Sequence, residues 1–114
     1  MHEIGIAQSI IEKIEEKLQD VKVPITILNI TVLLGKAANV NAESLQFGFD
    51  VAKEPSSIPF AKLVIEEEPV RLGCPHCHQS YTADVIELEC RLCGKAPLNV
   101  LSGRDIQIID IEYE

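Results

Sequence analysis

Apolar residues recur at Ile4, Ala7, Ile11, Ile14 and Leu18, with Ile10 beside them, while Glu12, Lys13, Glu15, Glu16 and Lys17 fill the positions between. Spacings of three and four put the apolar set on one helical face. The pattern therefore predicts an amphipathic helix of about four turns that starts almost at the first residue. Pro24 closes the linker after it, and the period then shortens to two. From Ile25 to Leu34 the chain is β-branched and apolar, with Leu28, Ile30, Val32 and Leu34 on one face and Asn29 and Thr31 on the other. That reads as a strand, ended by Gly35. Asn41 is placed to cap a second helix running to about Lys53, with Leu45, Phe49 and Ala52 on one side. Pro55, Ser56, Ser57 and Pro59 break it. A second strand follows from Phe60 to Glu67, alternating Ala61, Leu63 and Ile65 against Lys62, Val64 and Glu66. Ile106 to Tyr113 reads as a last strand. Its alternation changes parity between Ile108 and Ile109, which implies either a bulge or burial on both faces.

The order helix, strand, helix, strand is interrupted at about residues 70–98 before the final strand. That strand needs a sheet to join, and the first two strands supply one. The expected fold class is α+β: two helices packed on a small three-stranded sheet, with an inserted zinc-ribbon module. The domain assignment is 1–69 with 99–114 for the α+β domain and 70–98 for the ribbon.

The insert owes its name to the cysteines. Cys74-Pro75-His76-Cys77 and Cys90-Arg91-Leu92-Cys93 hold every cysteine of the chain, with twelve residues between the pairs. A C-x2-C turn points two sulfurs at one centre, and a second turn completes the tetrahedron that Zn2+ accepts. Gly94, just after the second pair, suits the left-handed backbone such a turn needs; the matching position in the first pair is His78, a residue type that tolerates it. Two disulfides would need an oxidising compartment, and no secretory segment is seen. A thioredoxin-like motif explains one pair but not two, and a catalytic zinc keeps a coordination position open. His76 and His78 read as solvated loop histidines, with exchange of an imidazole for a thiolate as the sharper alternative.

Composition narrows the function. The 114 residues are 46% hydrophobic with a formal charge of −8, and a zinc ion on four thiolates adds about two more negative charges. Such a chain is repelled by phosphate backbones, and only Arg71, Arg91, Lys95 and Arg104 lie near the ribbon. No nucleic-acid partner is expected. No apolar run approaches the roughly eighteen residues of a membrane span, so no membrane partner is expected either, and the protein should be cytoplasmic. There is no nucleophile–base pair, phosphate-binding glycine loop or open catalytic metal site, so the chain does not read as an enzyme.

Met1-His2-Glu3 is the second place where chemistry can live. The Met1 amine, the His2 backbone nitrogen and the His2 imidazole can close adjacent chelate rings, a nitrogen-rich set that suits Ni(II) or Cu(II) better than Zn(II). Glu3 can add a carboxylate or orient the imidazole. The competing reading is a frayed terminus in which Glu3 simply favours the positive end of the helix.

Taken together, the chain resembles the HypA/HybF hydrogenase-maturation nickel chaperones over essentially its whole length. The resemblance lies in Met1-His2-Glu3 opening an amphipathic helix, in Val40 through Phe49, in the two cysteine pairs at this spacing, and in Ser102-Gly103-Arg104 before the last strand. It implies a metallochaperone that carries Ni(II) on Met1, His2 and Glu3, with His2 the essential side chain, and holds structural Zn(II) on Cys74, Cys77, Cys90 and Cys93. The implied partners are a HypB-type GTPase, the large subunit of [NiFe]-hydrogenase and, in some bacteria, urease maturation factors. Some archaeal relatives add a histidine shortly after the last cysteine pair; Gly94 to Leu98 contains none. Another departure is Gly35-Lys36-Ala37-Ala38-Asn39, where relatives often carry a Ser and a Gly. The alternative is a zinc-ribbon protein-interaction module without metal transport.

Overall fold

The isoleucine periodicity becomes helix α1, His2–Leu18, in the computed structural model, which describes residues 2–114. Ala7, Ile10, Ile11 and Ile14 are buried, and Glu12, Lys13, Glu16 and Lys17 face water, while Glu15 is half-buried. Each of the three isoleucine burials is worth roughly 1.5–3 kcal/mol. Helix α2, Ala42–Ala52, begins at Asn41, whose extended backbone (φ −81°, ψ 121°) and side chain accept the role expected of it: its carbonyl receives the Ser44 N–H at 2.9 Å. Leu45, Gly48 and Phe49 form its buried face. Ala52, expected there, is only half-buried.

The remaining elements are β1 (Ile27–Gly35), β2 (Lys62–Glu68), β3 (Val70–Gly73), β4 (Ser80–Ala83), β5 (Asn99–Ser102) and β6 (Ile106–Tyr113). They form two three-stranded sheets, ordered β2-β1-β6 and β4-β3-β5. The fold is thus α+β, and the C-terminal strand completes the first sheet.

By compactness the chain divides into one unit of residues 1–32, 40–66 and 107–114 and another of 33–39 and 67–106. In the first, α1 and α2 pack on each other, and the buried set includes Ile14, Ile30, Leu45, Phe49, Ile58 and Leu63. In the second, Val70, Leu72 and Ala83 form a small core against which Ala37, Tyr81, Leu98 and Val100 pack. Strands β3 and β4 pair antiparallel with Leu72 opposite Tyr81. Strand β5 pairs with β3 through a register shift between Arg71 and Leu72 that leaves Leu101 as the extra residue.

Two expectations are corrected and one is met. Strand β1 buries Ile27 rather than Leu28 before Ile30, Val32 and Leu34, so its inward set changes parity near its start. Strand β6 does the same: Ile106 and Ile108 are half-buried, then Ile111, while Ile109 is 47% exposed. The change of parity expected between Ile108 and Ile109 is thus present. Phe60 lies outside β2 and is 76% exposed, because Pro59 leaves it in the turn before the ladder begins. Among the described residues, no helix is long and apolar enough to cross a membrane.

Candidate metal centres

Strand β3 delivers Cys74 directly, and β4 leaves three residues after Cys77. Between them the chain makes a tight turn: the Cys74 N–H donates to Gln79 O at 2.9 Å, and the His78 N–H donates to Cys74 O at 3.0 Å. The second pair repeats this bond for bond. The Cys90 N–H donates to Lys95 O at 2.7 Å, and the Gly94 N–H to Cys90 O at 2.8 Å. His78 (φ 62°) and Gly94 (φ 78°) both take the left-handed conformation expected of those two positions. Backbone N–H groups also reach sulfur, Cys77 N to Cys74 Sγ and Leu92 N to Cys90 Sγ, each at 3.4 Å.

The two turns converge. Cys74 and Cys93 Sγ lie 3.6 Å apart, Cys77 and Cys90 Sγ 3.8 Å apart, and all four sulfurs fall within 4.8 Å of one another. Sulfurs at the corners of a tetrahedron with metal bonds of about 2.3 Å sit about 3.8 Å apart. The spacing is far too long for a disulfide, and all four cysteines are free. The donor set and its geometry fit zinc. No histidine belongs to the cluster; His76 and His78 are exposed on the turn.

Without a cation, three of the clustered thiols are shifted in opposite directions. Cys74 is drawn down to about 6, first by the Cys77 backbone N–H. Cys77 is pushed up to about 11: the Gln79 N–H pulls it down, but burial and the neighbouring sulfurs outweigh it. Cys93 is likewise raised; the Lys95 N–H opposes, and burial with the Cys74 and Cys90 sulfurs prevails. A dication overrides these differences, because it stabilises every thiolate that it binds.

Sequence reasoning missed the surroundings of the second turn. The Tyr81 hydroxyl accepts the Arg91 backbone N–H at 3.1 Å and donates to Glu87 Oε1 at 2.8 Å. The Arg91 guanidinium meets Glu87 Oε2 at 2.5 Å and lies 4.8 Å from the Tyr81 ring centroid. Glu87 is held below the usual carboxylate range by Arg91 first and the Tyr81 hydroxyl second. Nothing in the spacing of Tyr81, Glu87 and Arg91 announces this.

At the other candidate, Met1 lies outside the described residues. His2 opens α1, and its Nε2 sits 3.1 Å from Glu3 Oε2. The same oxygen accepts the Asn41 backbone N–H at 3.4 Å, which ties the start of α1 to the start of α2. Glu3 is only 12% exposed while His2 is 62% exposed, so the carboxylate is enclosed and the imidazole open. Glu3 is held below the usual carboxylate range by its own backbone N–H first, then by Asn41 and the His2 charge, against the cost of burial. Gly48 makes the approach feasible, since a Cβ there would lie 3.3 Å from Ile4 Cα and Cγ1. The Asn41 cap was legible in the sequence; its second bond, thirty-eight residues away in the chain, was not.

A family model described as hydrogenase/urease nickel incorporation, metallochaperone, hypA matches residues 1–113. A hydrogenase maturation factor HypA of Streptomyces avermitilis is 31% identical across 115 aligned residues, covering 100% of this chain and 88% of that protein. One from Roseiflexus sp. strain RS-1 is 34% identical, covering 100% and 93%. The solution structure of the Ni metallochaperone HypA from Helicobacter pylori shares the fold with a TM-score of 0.71 over 98% of this chain and 97% of that one, at 22% identity.

Proposed function

Since this chain belongs to the HypA family of hydrogenase and urease nickel-incorporation metallochaperones, we propose that it binds Ni(II) through Met1, His2 and Glu3 and delivers it during [NiFe]-hydrogenase maturation. Cys74, Cys77, Cys90 and Cys93 hold zinc in a purely structural role. We assign the nickel-binding domain to 1–69 with 99–114 and the zinc ribbon to 70–98, although β5 joins the ribbon's sheet and the compact unit around the cysteines runs on to residue 106.

The observation that carries the nickel assignment is the pairing of an enclosed Glu3 carboxylate with an open His2 imidazole. With Nε2–H donating to Glu3, the imidazole lone pair falls on Nδ1, the nitrogen that closes a six-membered ring with the His2 backbone nitrogen. The Met1 amine then closes a five-membered ring on the same metal. A reference pKa of about 7.7–8.0 lets that amine shed its proton near neutrality. Glu3 orients the ring and keeps its charge beside the metal.

The work is ligand exchange rather than catalysis. A site with few protein ligands leaves positions for an acceptor to fill, so nickel can leave as it is captured. Acceptors are proteins of the hydrogenase pathway: a HypB-type GTPase and the hydrogenase large subunit, with urease maturation factors where urease is made.

The test is a nickel titration of protein with its native amine, against His2→Ala and against an N-terminally extended form, with zinc followed by elemental analysis. One nickel equivalent, lost in both altered forms while zinc stays, is the expected result. Undiminished binding places nickel elsewhere, and no specific nickel at all favours the zinc-ribbon interaction module.

A further inference from the structure

The geometry points to Tyr81 as the positioning residue that holds the second cysteine turn against the ribbon sheet and so sets how readily the metal centre opens; this rests on the four-thiolate zinc reading. The two turns are alike in their own hydrogen bonds but differ in how they are mounted. The first is continuous with β3 on one side and runs into β4 on the other, so strand pairing from Val70↔Ala83 to Gly73↔Ser80 fixes both of its ends. The second sits in residues 84–98, a stretch with neither helix nor strand. Its turn bonds, Cys90 N–H to Lys95 O and Gly94 N–H to Cys90 O, are local and orient it toward nothing outside.

The stretch is fastened at its ends, by the Lys36–Asp84 bridge at 2.9 Å and by Leu98 packed on the small core. Its middle is fastened through Tyr81. That ring stands opposite Leu72 in the β3–β4 register and packs on the Val70, Leu72 and Ala83 cluster, so it is part of the sheet. Its hydroxyl then takes the N–H of Arg91, the residue next to Cys90. Glu87 accepts the hydroxyl proton and also binds the Arg91 guanidinium, which covers the ring face. Tyr81 is thereby held from three directions, and the Arg91 amide inherits that rigidity. Without the hydroxyl, the Arg91 amide loses its anchor, and Cys90 and Cys93 rely on the metal, the arginine stack and the fastened ends to stay near Cys74 and Cys77.

Tyr81→Phe keeps the ring, its packing and the arginine stack while deleting one acceptor and one donor. In zinc-loaded protein challenged with excess chelating dye, zinc should leave between about twofold and tenfold faster, the range that one hydrogen bond spans. Tyr113→Phe, which removes a hydroxyl from an exposed ring, should leave the rate unchanged. Alkylation during release, mapped by mass spectrometry, supplies the reading that general loosening would not give: Cys90 and Cys93 should be labelled earlier than in the parent, with Cys74 and Cys77 unchanged. Glu87→Gln combined with Tyr81→Phe should add less than the two changes separately. Equal acceleration of all four cysteines, or a release rate matching the parent, overturns the inference. A parent protein that holds no zinc overturns it together with the zinc reading, whereas full zinc with an unmoved rate overturns it alone.

Discussion

Replacing Gly35 and Gly5 by alanine is the same chemical change with opposite consequences. At Gly35 the added Cβ would land within the van der Waals envelope of the Gly103 carbonyl and 2.9 Å from Arg104 N. All of these neighbours are backbone, so no side chain can swing aside. The crossing is pinned by Gly35 N–H to Asp105 O and Ala37 N–H to Gly103 O, both at 2.9 Å. Parting the strands by about an ångström weakens both bonds, at roughly 0.5–1.5 kcal/mol each. Overpacking adds about 1–3 kcal/mol. Gly35→Ala should therefore cost about 2–6 kcal/mol. Gly5 lies on the open face of α1 with nothing within 4 Å of a Cβ, so Gly5→Ala should gain about 0.5 kcal/mol from the lower entropy cost of ordering alanine. Urea midpoints of zinc-loaded protein, followed by far-UV circular dichroism and by tyrosine near-UV signal, measure both at constant slope. A Gly35→Ala midpoint within about 0.5 kcal/mol of the parent, or a destabilised Gly5→Ala, would refute the steric reasoning.

Glu15 accepts the Ser57 N–H at 2.9 Å and its hydroxyl at 2.7 Å, which hold its carboxyl below the usual range, the backbone bond contributing most. A depressed folded pKa contributes stability above the unfolded value, about 4.3, and loses it as pH falls through the folded one. The midpoint gap between parent and Glu15→Gln should accordingly shrink as urea titrations move from pH 7 toward pH 3; a constant gap would exclude a charge-assisted role. Cys90→Ser should lower zinc content by elemental analysis and open Cys74, Cys77 and Cys93 to alkylation, while full zinc occupancy would count against four-thiolate ligation.

What could be read from the sequence was whatever depends on a residue and its near neighbours. The isoleucine stripe of α1, the Asn41 cap, and the left-handed positions at His78 and Gly94 each follow from local rules, and each is where the sequence places it. The convergence of four cysteines follows from two identical turns. Long-range partners were not legible, because periodicity names a face and never what covers it. Glu3 meeting the Asn41 N–H, and Tyr81 meeting Arg91, are fixed by tertiary approach. The short strands β3, β4 and β5 have four residues each, too few for alternation to register. At the start of β1 a change of parity is invisible because the adjacent residues Ile27 and Leu28 are both aliphatic, so either could face inward.

That change of parity occurs on β1 and again on β6, strands that lie side by side in the sheet. The pair is therefore locked in its history as well as its shape. One residue lost at the switch itself would restore strict alternation, but one lost elsewhere in either strand would turn part of the inward set, such as Ile30, Val32 and Leu34, to the opposite face. A matching loss from the other strand could restore the ladder but not the facing of those side chains. Descendants of this chain can trade one aliphatic for another along these strands far more freely than they can change the strands' length.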